Sequence, residues 1–225
     1  MPSEEWLKTA FRDGYSSGDL TSPDPDTITK NEEERVGGSY RDVLDFAIKP
    51  FLTPNSRVLE LGPGAGSWTR ALLKCVPDGE VHTLDFVDVT KFINPRDYNG
   101  RLFCHIVTDN NYEFLPDGFF DFFFSFGVLC HTMPTERRDI LRGALPKTRP
   151  RAYSVHQYGD WNKLEDFGWD RGGVPTEFRD MPDDKIWWPR NTSAMMAAAA
   201  RAAGWRVITP DMDLLRRDGL ILLSH

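Results

Sequence analysis

The segment that most constrains the fold is residues 57–75, where an apolar run, "RVLEL", meets "GPGAG" and then "SWTRALLKC". The first piece has the length and branching of a short buried strand, and the last has apolar positions suited to a helix packed on a sheet. Between them, Gly62, Gly64 and Gly66 form a turn that tolerates positive φ and lacks Cβ atoms, and the helix that follows offers N–H groups with no intrahelical partner. Glu60 is out of place in such a strand, because burying a carboxylate is costly unless something compensates it. The turn is therefore either a tight structural connection or a place where backbone comes close to a ligand.

The same alternation repeats downstream. "EVHTLDF", "RLFCHIV", "FFDFFFSFGV" and "RAYSVHQYG" read as strands, and "PTERRDILRGAL" reads as a helix between the last two. Helices between short buried strands indicate βαβ units and a parallel sheet covered on both faces, so the class is α/β. Near the end, "NTSAMMAAAARAAGW" is a capped helix closed by Gly204, and "WRVIT" and "LILLSH" follow with a connection too short for a crossover. That pair must be antiparallel. "SYRDVLDFAIKPF" has helical spacing and a capping serine, Ser39. Residues 1–35 read as a polar arm or lid with a short helix near residues 4–11, and residues 36–225 as a single domain. An irregular tryptophan-rich insertion spans about 158–191. A chain of 225 residues fits one domain with a sizeable core.

Asp85 closes the second strand at about the 20-residue interval after the first glycine at which an acid reaches the hydroxyls of a ribose. A dinucleotide fingerprint would need glycine or alanine where this chain has Ser67. The string is instead Glu-x-Gly-x-Gly-x-Gly, and with Asp85 it resembles the class I S-adenosylmethionine-dependent methyltransferases from about residue 36 onward. The resemblance implies a Rossmann-like three-layer sandwich whose seven-stranded, mostly parallel sheet has the order 3-2-1-4-5-7-6, with the last strand antiparallel. It implies S-adenosylmethionine as cofactor. Glu60, Gly62, Gly64 and Gly66 would line its methionine and ribose parts, and Asp85 would hold the ribose. Phe86, Asp109 and Asn110 would flank adenine, and Ser125 would end the fourth strand facing the methyl group. Tyr40 is a further candidate for the cofactor carboxylate. Taken singly, Asp85 and Asp109 are also ordinary strand-end acids; their joint spacing favours the ligand reading.

The acceptor is narrowed mostly by exclusion. Ser125-Phe126-Gly127-Val128 lacks the Pro-Pro-aromatic signature of base-amine enzymes of the family. No cysteine follows a proline, and no paired glutamates follow the fourth strand. The formal net charge of -7 argues against a nucleic-acid partner. A small hydroxylated molecule or sugar is the expected acceptor, because an alcohol must lose its proton and His131 and His156 stand near strand ends as candidate bases. His82 and His105 read as structural. Tyr158, Trp187 and Trp188 are candidate acceptor contacts, with at least two of the four tryptophans between 161 and 188 forming a local core. No required metal is expected; Asp160 reads as a solvated loop acid. Cys75, Cys104 and Cys130 lack metal-type spacing and read as reduced. No signal peptide or membrane span is expected, which suggests a cytoplasmic protein. An N-methyltransferase acting on a small amine and a non-catalytic cofactor-binding partner are the alternatives. Oligomeric state is not legible.

Overall fold

The computed structural model describes Thr9 and residues 12–225; the short helix expected near residues 4–11 lies, Thr9 apart, outside them. The described strands are β1 (Arg57–Leu61), β2 (Glu80–Asp85), β3 (Leu102–Ile106), β4 (Phe120–Ser125), β5 (Thr148–Gly159), β6 (Arg206–Thr209) and β7 (Asp218–Ser224). They form one seven-stranded sheet of order β3-β2-β1-β4-β5-β7-β6. The pairs from β3 to β5 are parallel, and β7 runs antiparallel to β5 and β6, as its short connection to β6 requires.

Period-two alternation decides which side chains enter which layer. In β4, Phe122 and Phe124 join the core that contains Val58, Trp68 and Leu72, whereas Phe123 joins the opposite core with Leu59, Leu141 and Trp205. Phe120 departs from the alternation and joins that same opposite core, because the register shifts between Phe120 and Phe122. All four rings are fully buried, and truncating any one to alanine would cost about 3–5 kcal/mol. The helices are α1 (Thr27–Val36), α2 (Tyr40–Asp42), α3 (Ser67–Cys75), α4 (Pro134–Ala144), α5 (Trp161–Phe167) and α6 (Ser193–Ala202). Ser39 caps α2 by accepting from the N–H groups of Arg41 and Asp42. The single helix expected over residues 39–51 is compound: α2 passes into a π turn, Val43–Ile48, and a 3-10 turn, Lys49–Phe51. Pro50 supplies the reason, since it has no N–H to return to the preceding turn.

The insertion after β5 builds a third, smaller core in which Trp169 and Trp188 pack on Leu164, Phe178 and Ile186. Trp161 meets Trp169 edge to face at 4.7 Å between centroids, so these two rings serve that local core. Asp160 is buried rather than solvated: it caps α5 through the N–H of Asn162 and accepts from Ser193 N–H at the start of α6. The three cysteines are unpaired thiols, Cys130 fully within the core. Among the described residues, no helix is long and apolar enough to cross a membrane.

Candidate active site

The carboxyl ends of β1 and β2 open into a cavity, as expected where strand order reverses beside β1. Its floor is the glycine turn, with Gly62 and Gly64 in the lining and Gly66 behind them as the left-handed N-cap of α3. All three bare Cα atoms face protein. A Cβ on Gly62 would strike Val128, one on Gly64 would come within 2.6 Å of the Tyr15 carbonyl oxygen, and one on Gly66 within 2.9 Å of Ile93. The arm is tied down at the same place. Ala65 N–H donates to the Tyr15 carbonyl at 2.8 Å, and Ser17 N–H donates to Ser67 Oγ at 3.0 Å. The Tyr15 hydroxyl donates to Glu32 on α1.

Asp85 and Phe86 line the cavity from the tip of β2. Burial raises the pKa of Asp85 above the ordinary carboxylate range, partly offset by the N–H groups of Val87 and Phe86. One carboxylate oxygen accepts from Val87 N–H at 3.1 Å. A desolvated carboxylate in a cavity fits a ligand diol, whose hydroxyls would replace the water it has lost. Asn110, with apolar neighbours Val87 and Val107, forms the far wall and fits a planar heterocycle. Asp109 is not brought to the cavity: it is exposed and caps its own turn through Asn111 N–H. Glu60 also lies outside the lining. It is buried beneath the turn, pushed up to about 8 by desolvation and then by the Asp85 charge, and its Oε2 has no hydrogen-bond partner among the described residues. A protonated acid resolves the anomaly noted in the sequence.

The two candidate bases separate completely. His156 is fully buried inside the sheet, because β5 runs on past it to Gly159 by pairing with β7. The Ser154 hydroxyl spends its proton on the Phe123 carbonyl and so accepts from His156 Nε2, while the Ser125 hydroxyl donates to Nδ1 at 2.8 Å. Both ring nitrogens are occupied, and burial lowers the pKa to about 3. His156 and Ser125 are thus a sealed structural pair. Tyr158 is likewise core, its hydroxyl donating to the Pro210 carbonyl at 2.9 Å.

His131, in the turn after β4, lines the cavity and also a second one adjoining it. Its Nδ1 donates to the Trp187 carbonyl at 2.7 Å, which puts the lone pair of the neutral ring on Nε2. Burial lowers its pKa, so the ring is neutral near pH 7. The second cavity shares Tyr15, Phe126, Gly127 and His131 with the first and is walled by Tyr40, Trp187 and Trp188. Tyr40 faces this second space rather than the glycine turn.

Sequence reasoning did not single out Tyr15, Phe126, Arg35 or Arg217 as lining residues. Phe126 directly follows the tip of β4, and Arg217-Asp218 puts two charges at the mouth of an apolar strand; both signals are visible in the sequence once the strand ends are fixed. Tyr15 and Arg35 carry no local signal. Among the described residues, no three His, Cys, Asp or Glu side chains converge as metal ligands would.

No protein-family model matches the sequence, and no curated protein is similar to it in sequence. Solved structures do match in three dimensions. A SAM-dependent methyltransferase from Aquifex aeolicus gives a TM-score of 0.56 at 16% identity, over 87% of this chain and 97% of that one. The 1,6-didemethyltoxoflavin-N1-methyltransferase of Burkholderia thailandensis, solved with 1,6-didemethyltoxoflavin and S-adenosylhomocysteine, gives 0.63 at 13% identity, over 98% and 86%. Human N-acetylserotonin methyltransferase in complex with SAM gives 0.54 at 15%, over 82% and 50%. With the sheet order and its antiparallel last strand, these likenesses establish that the chain has the class I, Rossmann-like fold of the S-adenosylmethionine-dependent methyltransferases.

Proposed function

We propose that the protein transfers a methyl group from S-adenosylmethionine to a hydroxyl of a small molecule or sugar, with His131 as general base. The observation that carries this reading is a neutral histidine of fixed tautomer in the wall common to two adjoining cavities. One cavity has the carboxylate and glycine turn suited to the cofactor; the other has aromatic walls suited to an acceptor.

When bound, the cofactor supplies a methyl group activated by its sulfonium for in-line displacement. Asp85 would accept the two ribose hydroxyls, Asn110 and Phe86 would hold the adenine, and the turn at Gly62 and Gly64, folded tightly by their positive φ, would form the floor beneath. On the acceptor side, Nε2 of His131 would take the hydroxyl proton as the oxygen lone pair forms its bond to carbon, and the carbon–sulfur pair leaves with sulfur. The Trp187 carbonyl stabilises the imidazolium that results, since Nδ1–H already donates to it. Tyr15 and Phe126 would exclude water from between the two cavities, and residues 14–17 would act as a lid. A small-molecule acceptor, no metal requirement and a cytoplasmic setting complete the reading.

Calorimetry with S-adenosylmethionine tests the first half. Wild type should bind, and Asp85→Ala should weaken binding about tenfold or more, as the loss of two charged hydrogen bonds demands. Equal affinities would remove Asp85 from the site. Labelled-methyl transfer to a panel of phenols, sugars and amines tests the second half, and exclusive transfer to nitrogen would refute the base assigned to His131.

A further inference from the structure

The cavity beyond His131 has a definite electrostatic character. Among the described residues, its arginine lining is Arg35 and Arg217, and no aspartate or glutamate lines it. Arg217 is nine-tenths buried and lies 4.8 Å from the centre of the Trp188 ring. Its Nε and Nη2 donate to the two oxygens of Asp218 at 2.9 and 2.7 Å, and Nη1 donates to the Gly172 carbonyl at 2.7 Å. A guanidinium has five N–H donors, so these bonds leave two unspent. Arg35, an exposed residue, makes one side-chain hydrogen bond among the described residues, from Nη1 to Glu32 at 3.2 Å.

The carboxylates that pair with these arginines are not in the lining, although both act on the nearby Tyr40 hydroxyl. Asp218 is fully buried and also accepts from Gln157 Nε2 at 2.7 Å, while Glu32 accepts from the Tyr15 hydroxyl as well as Arg35. Burial raises the pKa of Glu32, offset in part by the charges of Arg35 and Arg217. A further donor stands in the same wall: the Tyr40 hydroxyl is buried, has the Ser17 side chain nearby, and makes no hydrogen bond of normal geometry among the described residues. An orphaned buried hydroxyl calls for a ligand atom, because leaving it unpaired costs about 1–3 kcal/mol. Donors without acceptors, set among tryptophan and phenylalanine faces, complement a flat ring that carries an oxyanion. Each arginine is paired with a carboxylate, so a cationic amine would meet N–H donors in this wall and no carboxylate in the lining among the described residues.

We propose that the acceptor is an aromatic hydroxy acid, its ring against Trp187 and Phe126 and its carboxylate received by Arg217, Arg35 and the Tyr40 hydroxyl. This rests on the methyltransferase reading for the role of the hydroxyl, which would lie toward His131. It also tells against the small-amine alternative, for whose cation the lining offers no carboxylate among the described residues.

Tryptophan fluorescence titrations with 3,4-dihydroxybenzoate, its methyl ester and 3,4-dihydroxybenzylamine, each with and without saturating S-adenosylhomocysteine, test the proposal. The acid should bind at least about tenfold more tightly than the ester or the amine. Arg35→Met, which keeps the apolar stem of an exposed residue, should bring the acid to within about threefold of the ester, with melting temperature and S-adenosylhomocysteine affinity unchanged. An acid that binds no more tightly than its ester, an amine that binds as tightly, failure of all three to bind, or a preference that survives Arg35→Met would each overturn it. Failure to bind S-adenosylhomocysteine in calorimetry would instead strike the methyltransferase reading. The titrations without it would still decide the chemistry of the cavity.

Discussion

At the tips of β1 and β2 a carboxylate and the glycine turn line a cavity, whereas at the neighbouring ends of β4 and β5 a serine, a histidine and a tyrosine are closed in. Both ends lie on the same side of a parallel sheet. The difference comes from what covers them: β7 pairs with β5 as far as Gly159↔Asp218, carrying regular sheet beyond His156. Ser125, His156 and Tyr158 are sealed because a neighbouring strand continues past them. His131 escapes because it sits in the turn after β4, held by the insertion's Trp187 carbonyl instead of by sheet.

The sharpest way to break this contrast is to exchange the fates of the two histidines. His131→Ala should lower turnover about 100- to 10,000-fold with little change in cofactor affinity, the range general base catalysis supplies. The acid limb of its wild-type pH–rate profile should lie below the ordinary histidine value of about 6.5, since burial lowers its pKa. His156→Ala should cost about 2–4 kcal/mol in denaturant unfolding, because it leaves a cavity and strips two buried serines of their partner, yet turnover per folded molecule should hold. A large loss of turnover without loss of stability in the second variant would collapse the distinction.

Smaller effects sharpen it through pH. Folded His156, with its pKa lowered to about 3, stays neutral while the unfolded chain takes up a proton below about 6.5. Stability should therefore fall as pH drops from about 6.5 toward 3, and His156→Leu should flatten that limb of a melting-temperature profile. Glu60 acts with opposite sign: it keeps its proton up to about 8 in the folded state, whereas the unfolded chain releases it near the ordinary value of about 4.3. Stability should decline as pH rises through that interval. Glu60→Gln should remove the decline and melt no lower than wild type at pH 8; a lower melting temperature there would mean that the acid is ionised and paired.

The sheet was legible in the sequence because its determinants are local. The strand, glycine turn and helix of residues 57–75, and the short link before β7, each dictate geometry without reference to the rest of the chain. Asp85 was legible for the same reason, as a distance along one βαβ unit. His156 and Tyr158 were misread because their surroundings are set by β7, which lies far along the chain and lengthens β5. Asp109 was placed one residue from where the cavity wall falls, an error of register at a loop that only packing resolves. Arg35 and Tyr15 reach the cavities through the path of the arm, which periodicity does not encode.

The bare carbons of the glycine turn have a consequence for engineering. Each is the seat of a different neighbour: Val128 from the stretch that bears His131, Tyr15 from the arm, and Ile93 from the loop beyond Asp85. The turn works as a hub from which three spokes radiate, so that one added methyl tilts one spoke: alanine at Gly62 shifts the proton acceptor, at Gly64 the entrance, and at Gly66 the sugar-holding side.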